Sequence, residues 1–271
     1  MTVYAGQGDA QRSLALLWGA PEEPRTGRSG PRPGLTVDAI VSAAIAVADT
    51  EGMTALSMRA VGERLGRTAM ALYTYVPGKA ELLDLMHDRV LAELPTGQRT
   101  VGGWQEAVTA WAEELYACYL RHPWVLQVSQ ARPVLGPAEL AAMEALLAAL
   151  RPAGLPPLRL RGAVAALWQF VRGLAAATAD ARGAAAATGV TDEDWWSARS
   201  ARLAELAPDF AERFPLLTAL QGAGGGSPED GRLEAFRGGL AVLLDGIAAA
   251  AEPSSEPPGD RAWGTAWADT A

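Results

Sequence analysis

Cys118 is the only thiol in the chain, and His122, four positions later, is one of its two imidazoles. Side chains four apart on a helix are neighbours, so the pair has the spacing of a nucleophile and its base. Pro123 directly follows His122 and marks a helix boundary, and no third group is evident to orient the imidazole. The serines lie in no Gly-x-Ser-x-Gly setting. The acidic run Asp192, Glu193 and Asp194 has neither a partner run nor a nearby histidine, as a metal centre would require. Catalysis, a resident metal and a cofactor are therefore not expected. The chemistry that remains is recognition, and it concentrates in Ala55 to Leu83, ALSMRAVGERLGRTAMALYTYVPGKAELL.

That stretch reads as two short helices. Ser57 suits the N-cap of the first, Val61 and Leu65 lie four apart on its inner face, and Gly66 ends it where a left-handed residue costs least. Thr68 suits the N-cap of the second, in which Ala71, Leu72 and Val76 point inward while Ala69, Met70, Tyr73 and Tyr75 are left outside. Helices this short need a third to pack on. Thr36 to Glu51 fits, with the stripe Ile40, Ala44 and Val47 and a stop at Gly52. Three helices with a Gly turn between the last two make a helix-turn-helix, whose final helix enters the major groove of a duplex while the one before it crosses the phosphates.

Over roughly residues 34 to 90 the run resembles the N-terminal domain of the tetracycline-repressor (TetR) family of bacterial transcription regulators. A Leu-Ser start, a Gly turn, a Leu-Tyr-x-Tyr-Val second helix and a following Gly-Lys-x-Glu-Leu-Leu occur in that order. The resemblance implies that Arg59 and Lys79 reach phosphates. It places Thr68, Ala69, Met70 and Tyr73 at base edges or the adjoining backbone, and Tyr75 at a further backbone contact. No Arg, Asn or Gln lies between Thr68 and Val76, so bidentate reading of guanine or adenine by that helix is not available. Thymine methyls against Ala69 and Met70, the Thr68 hydroxyl, and Arg67 just before the helix are the contacts left.

Charge divides along the chain. Residues 1 to 80 hold eight basic and seven acidic side chains, whereas the remainder holds fifteen against twenty-four, within an overall net charge of −8. A local basic footprint fits this better than a general coat of positive charge. Lys79 is the only lysine. Arg25, Arg28 and Arg32, spaced by Gly, Ser and Pro, form a basic arm that could lie along a minor groove or serve only as a linker. Arg12 to Trp18 reads as a short helix outside the domain. No run reads as a signal or membrane segment, and a lone cysteine fits a reducing compartment, so a cytoplasmic location without membrane contact is expected.

Beyond residue 90 the pattern is helix after helix. Trp104, Val108, Trp111, Leu115 and Cys118 define one apolar face, and Leu140, Met143, Leu147 and Leu150 another. Two segments alternate threes and fours: Leu160, Val164, Leu167, Val171, Leu174 and Thr178, then Leu233, Phe236, Leu240, Leu243 and Ile247. Two core helices inside one chain would show this pattern, and so would a dimer seam. Gly238 and Gly239 favour the seam, because a mid-helix Gly costs about 1 kcal/mol against Ala and close backbone approach offsets that. Val164, Leu167, Val171, Leu174, Phe236, Leu240, Leu243 and Ile247 are accordingly expected at a homodimer interface, as the resemblance also implies.

By the same resemblance the larger part of the chain binds a small effector. Trp111, Tyr119, Trp124, Trp168 and Phe170, with Gln127 and Gln169 as polar anchors, are the candidate pocket residues for an apolar ligand. The expected architecture is all-α: a flexible N-terminal extension over 1–33 carrying the basic arm, a helix-turn-helix domain over 34–95, a helical effector and dimerisation domain over 96–251, and a disordered tail over 252–271. The expected function is a repressor that leaves operator DNA when the effector binds. A helical scaffold or ligand-binding protein without DNA reading, and more remotely a helical enzyme, are the alternatives.

Overall fold

The computed structural model describes residues 3–19, 35–95, 102–129, 131–221 and 227–251. The basic arm Arg25, Arg28 and Arg32 and the tail over 252–271 lie outside the described residues. The chain divides into two compact units, Met1–Pro152 and Ala153–Ala271.

In chain order the first unit holds β1 (Val3–Tyr4), α1 (Ala10–Leu17), α2 (Val37–Glu51), α3 (Met58–Arg64), α4 (Ala69–Tyr73), α5 (Lys79–Leu91), α6 (Trp104–Arg121), β2 (Val128–Ser129) and α7 (Pro137–Leu150). A 3-10 turn, Pro123–Gln127, joins α6 to β2. Thr36 caps α2 by accepting from the Ala39 amide, and Gly52 closes it at φ +80°. Ile40, Ala44 and Val47 are fully buried, as the stripe predicts. On α7 the buried residues are Ala142, Leu146 and Leu150, so small Ala142 faces the core while Leu140 is exposed.

Helix α5 is the centre of this unit. It is packed by α1, α2 and α7, and its buried residues include Glu81, Asp84, His87 and Asp88. Buried carboxylates need donors, and the chain supplies backbone amides. Asp84 accepts from the Gly6 amide at 2.8 Å and from the Ser13 hydroxyl at 3.1 Å, and Glu81 accepts from the Asp9 amide at 3.1 Å. Asp88 accepts from the Ala138 and Glu139 amides at 3.0 and 2.9 Å, capping the first turn of α7. The expected free extension over 1–33 is thus corrected for residues 3–19. These contacts, a parallel β1–β2 pairing and a Trp18 indole bond to the Leu135 carbonyl fasten that segment down.

The second unit holds α8 (Pro157–Thr188), α9 (Asp192–Leu206), α10 (Phe210–Arg213), α11 (Pro215–Gln221) and α12 (Pro228–Ala250). Thr191 caps α9, accepting from the Asp194 amide, and Asp192 pairs with Arg232 of α12. Helices α8 and α12 pack on each other. Leu167, Val171, Phe236, Leu240 and Ile247 are buried, and Val164, Leu174 and Leu243 are half-buried. The residues expected at the seam between two chains are therefore largely enclosed in one. A Cβ on Gly239 would lie 2.7 Å from the Phe170 ring, which stacks on Phe236 with centroids 5.9 Å apart. The close approach that offsets this glycine is made by an aromatic ring of the same chain. Gly238 has open space around it.

Burial pushes the Asp84 carboxyl above the ordinary aspartate range, against the pull of the Gly6 and Ser13 hydrogen bonds, and Asp88 is raised for the same reason. A carboxyl raised on folding contributes stability that is complete below its unfolded value, about 3.9, and is lost as pH rises through its folded value. Asp84→Asn keeps an acceptor for Gly6 and removes the charge. Urea unfolding at a series of pH values should find Asp84→Asn more stable than wild type at neutral pH, with the difference vanishing below about pH 4. Equal stability at every pH would contradict the raised carboxyl.

Candidate nucleic-acid interface

Three short-range devices shape the α3–α4 pair. Ser57 accepts from the Ala60 amide at 3.1 Å and Thr68 accepts from the Ala71 amide at 3.4 Å, so both expected N-caps form. Gly66 sits at φ +63° between the helices. Val61, Leu72 and Val76 are buried to 0% and lock the pair onto the rest of the unit.

The third device was not legible as such. Gly62, inside α3, accepts from the Arg67 amide at 2.8 Å. A Cβ at this position would lie 2.7 Å from the Arg67 carbonyl oxygen and 3.3 Å from the Ala69 amide nitrogen. The turn passes directly over Gly62, and only a residue without a side chain lets α4 start there. A glycine placed next to Val61 in an otherwise regular helix was the available signal.

The outer face is open. Met70 is 74% exposed and Tyr73 44%, which leaves two large apolar side chains of a small helix in solvent. Ala69 and Tyr75 are half-buried beside them, and Thr68, Arg67 and Arg59 are exposed. Arg59 pairs with Glu63 at 3.6 Å on the surface. Lys79 is exposed at the first position of α5, and its ammonium donates to the Leu56 carbonyl at 2.6 Å. The lysine therefore also ties the start of α5 to the residue before Ser57, a role that spacing did not indicate. The eight expected residues thus fall within α3, α4, the turn between them, the connection from α4 to α5, where Tyr75 lies, and the start of α5. Cations lie at both ends of a polar and apolar patch, an arrangement suited to phosphates flanking base edges.

A second feature of the same unit is a groove of about 450 Å³ between the first half of α6 and the end of α7. Ala107, Ala110, Ala145 and Ala148 leave its walls smooth, Trp104 and Trp111 supply indole faces, and Glu114 and Arg151 bring one charge of each sign. The Trp111 indole donates to the Ala142 carbonyl at 3.3 Å, which fixes its ring. Of the seven expected ligand residues only Trp111 lines this groove. Tyr119 and Trp124 are core residues with no more than 1% exposure, because α6 and the 3-10 turn direct them inward. Gln127 is exposed on that turn. Trp168, Gln169 and Phe170 belong to the second unit, where Trp168 is buried, Gln169 exposed and Phe170 stacked on Phe236.

Cys118 and His122 do not form a reactive pair. The thiol donates to the Val90 carbonyl, and burial, reinforced by the charge of Glu93, pushes it up to about 12. The imidazole faces Asp49 and Glu93. Among the described residues no group of three or more His, Cys, Asp and Glu side chains could hold a metal ion, and no helix is long and apolar enough to cross a membrane.

Gly62→Ala tests the geometry of the turn. Ala is worth about 1 kcal/mol over Gly in a helix interior, whereas a Cβ against an unyielding backbone costs about 1–3 kcal/mol. Gly62→Ala should lower Tm and weaken any binding of duplex DNA, as thermal melts and mobility shifts will show. A raised Tm would mean that the turn yields.

Comparison with known proteins agrees with this geometry. The family described as "Bacterial regulatory proteins, tetR family" matches residues 40–86, and "Tetracyclin repressor-like, C-terminal domain" matches residues 96–251. The HTH-type transcriptional repressor DrrR1 of Streptomyces coeruleorubidus is 41% identical over 248 residues, 91% of this chain and 88% of the relative. An HTH-type transcriptional regulator of Saccharopolyspora erythraea is 34% identical over 173 residues, 64% of this chain and 72% of the relative. Among solved structures, the Streptomyces coelicolor TetR family protein ActR in complex with actinorhodin superimposes with a TM-score of 0.64 at 30% identity. It covers 81% of this chain and 100% of its own. With its helix-turn-helix, its C-terminal helical region and a relative of 41% identity in agreement, the chain belongs to the TetR family of bacterial transcription regulators.

Proposed function

We propose that this chain is a cytoplasmic homodimeric repressor that reads a pseudo-palindromic operator through α4 and leaves it when a small apolar ligand binds. The observation that carries the reading is the outer face of α4. Met70 and Tyr73 stand in solvent on a helix whose N-terminus is capped by Thr68 and whose inward Leu72 is fully buried. Arg59, Arg67 and Lys79 then meet phosphates, Thr68, Ala69, Met70 and Tyr73 meet base edges, and Tyr75 meets the backbone. Repression is supported by the 41% identical repressor. Two points support ligand release: a relative of the same fold binds actinorhodin, and the alanine-walled groove with Trp104 and Trp111 accepts flat apolar molecules. An effector acts by preferring a conformation that does not fit the operator.

Two reading helices require two chains. With the apolar seam enclosed inside one chain, the faces left for a partner are the outer ones. Val242 is 72% exposed, and around Gly162, Gly173 and Gly238 an added Cβ would meet only open space. Small residues there let a second α8–α12 pair approach closely. Val242→Glu should give a monomer in analytical ultracentrifugation and lose operator binding, and a dimer that survives this change would refute the assignment of the face.

Binding of the purified protein to DNA from upstream of its own gene, at two salt concentrations and against an unrelated duplex, tests the function itself. Arg59→Ala and Lys79→Ala should each weaken binding at all sequences and reduce the salt slope by about one. Arg59→Ala should leave Tm unchanged, because its pair with Glu63 is fully on the surface. Lys79→Ala should lower Tm as well, through the lost bond to Leu56. An unaltered salt slope in both would remove them from the phosphate contacts.

A further inference from the structure

His122 caps the C-terminal end of α6 and has a carboxylate at each ring nitrogen. Nδ1 lies 2.9 and 3.0 Å from the two oxygens of Asp49, near the end of α2, and Nε2 lies 3.2 Å from Oε1 of Glu93, just beyond α5. A neutral imidazole carries one N–H, and its other nitrogen is an acceptor. In that form one carboxylate would face a lone pair. Both contacts are hydrogen bonds only when the ring carries two protons.

Each of the two carboxylates has a further partner. Asp49 on α2 also accepts from the Trp124 indole at 2.8 Å, from the turn after α6. Arg121 on α6 pairs with the other oxygen of Glu93 at 3.0 Å. Cys118, one turn earlier on α6, is a neutral thiol bonded to the Val90 carbonyl. The imidazole therefore joins three parts of the chain, α2, the residues just beyond α5, and the end of α6.

Position gives this clasp its consequence. Helix α6 carries Trp104, Ala107, Trp111 and Glu114 of the groove in its first half and His122 at its end. Helix α2 is the support on which α3 packs. We propose that doubly protonated His122 is the positioning residue that clasps the reading head to the groove-lining helix, and that its proton makes operator affinity depend on pH. Loss of the proton releases one carboxylate, loosens the end of α2 and weakens operator binding roughly fivefold, the equivalent of one hydrogen bond.

The inference rests on the operator reading only for its DNA arm, so the test has two arms on the full chain. Ring NMR follows His122, with only His87 to be distinguished from it, while hydrogen exchange of the last turn of α2, corrected for intrinsic rate, is measured over the same pH range. Operator affinity is measured in parallel. In wild type, exchange at α2 should quicken and affinity should fall with the midpoint of the ring titration. In His122→Gln, which cannot carry the charge, both profiles should be flat. Asp49→Asn, which preserves shape and removes one charge, should show the same flattening and serves if His122→Gln misfolds. A ring that titrates with no change at α2, or a wild-type pH profile in both variants, overturns the proposal. Exchange that follows the ring in a protein that binds no duplex specifically at any pH would uphold the clasp and reject the operator reading.

Discussion

Everything in the first unit depends on a helix four of whose buried side chains are ionisable. Glu81, Asp84, His87 and Asp88 all lie inside, and enclosed charge is tolerable only with donors around it. The donors are mostly backbone amides from far away in the chain: Gly6 and Asp9 on one side, Ala138 and Glu139 on the other. These bonds fix α5 between the N-terminal segment and the start of α7. Because α5 begins at Lys79, directly after the reading helix, its placement sets the placement of α4.

The reading head hangs from this frame by separate fastenings. Lys79 reaches the Leu56 carbonyl, Arg89 of α5 pairs with Asp38 of α2, and His122 with Asp49 joins α2 to α6. These polar links add to the buried apolar faces of α2, α3 and α4, among them Ile40, Val61 and Leu72. Packed apolar cores resist small displacements, while exchangeable hydrogen bonds offer discrete alternatives. The groove lies along α6, at the other end of the helix that closes with His122.

The local architecture was legible. Caps at Ser57 and Thr68 and stops at Gly52 and Gly66 all form as read, because a cap involves residues three apart and needs no knowledge of the rest of the fold. The outward Met70 and Tyr73 followed from the same periodicity. Gly62 was missed because its reason is a backbone oxygen five residues later, brought over it by the turn. Size favours the core: Tyr119 and Trp124 fill the interior, while the groove is bounded by alanines whose small size creates the space.

The amino-acid sequence by itself determined the helices, their caps, the turn that makes α3 and α4 a pair, and the family, since each is carried by residues close together in the chain. Only the tertiary structure decided which apolar faces meet. A period of three and four states that a face is buried, not what covers it, and within this chain α8 and α12 cover each other. The same holds for charge. Asp49 and Glu93 stand 73 and 29 residues from His122, and no local pattern announces a carboxylate at each nitrogen of one ring. Pairings over such distances follow from how whole helices dock, which is set by the fit of their complete surfaces.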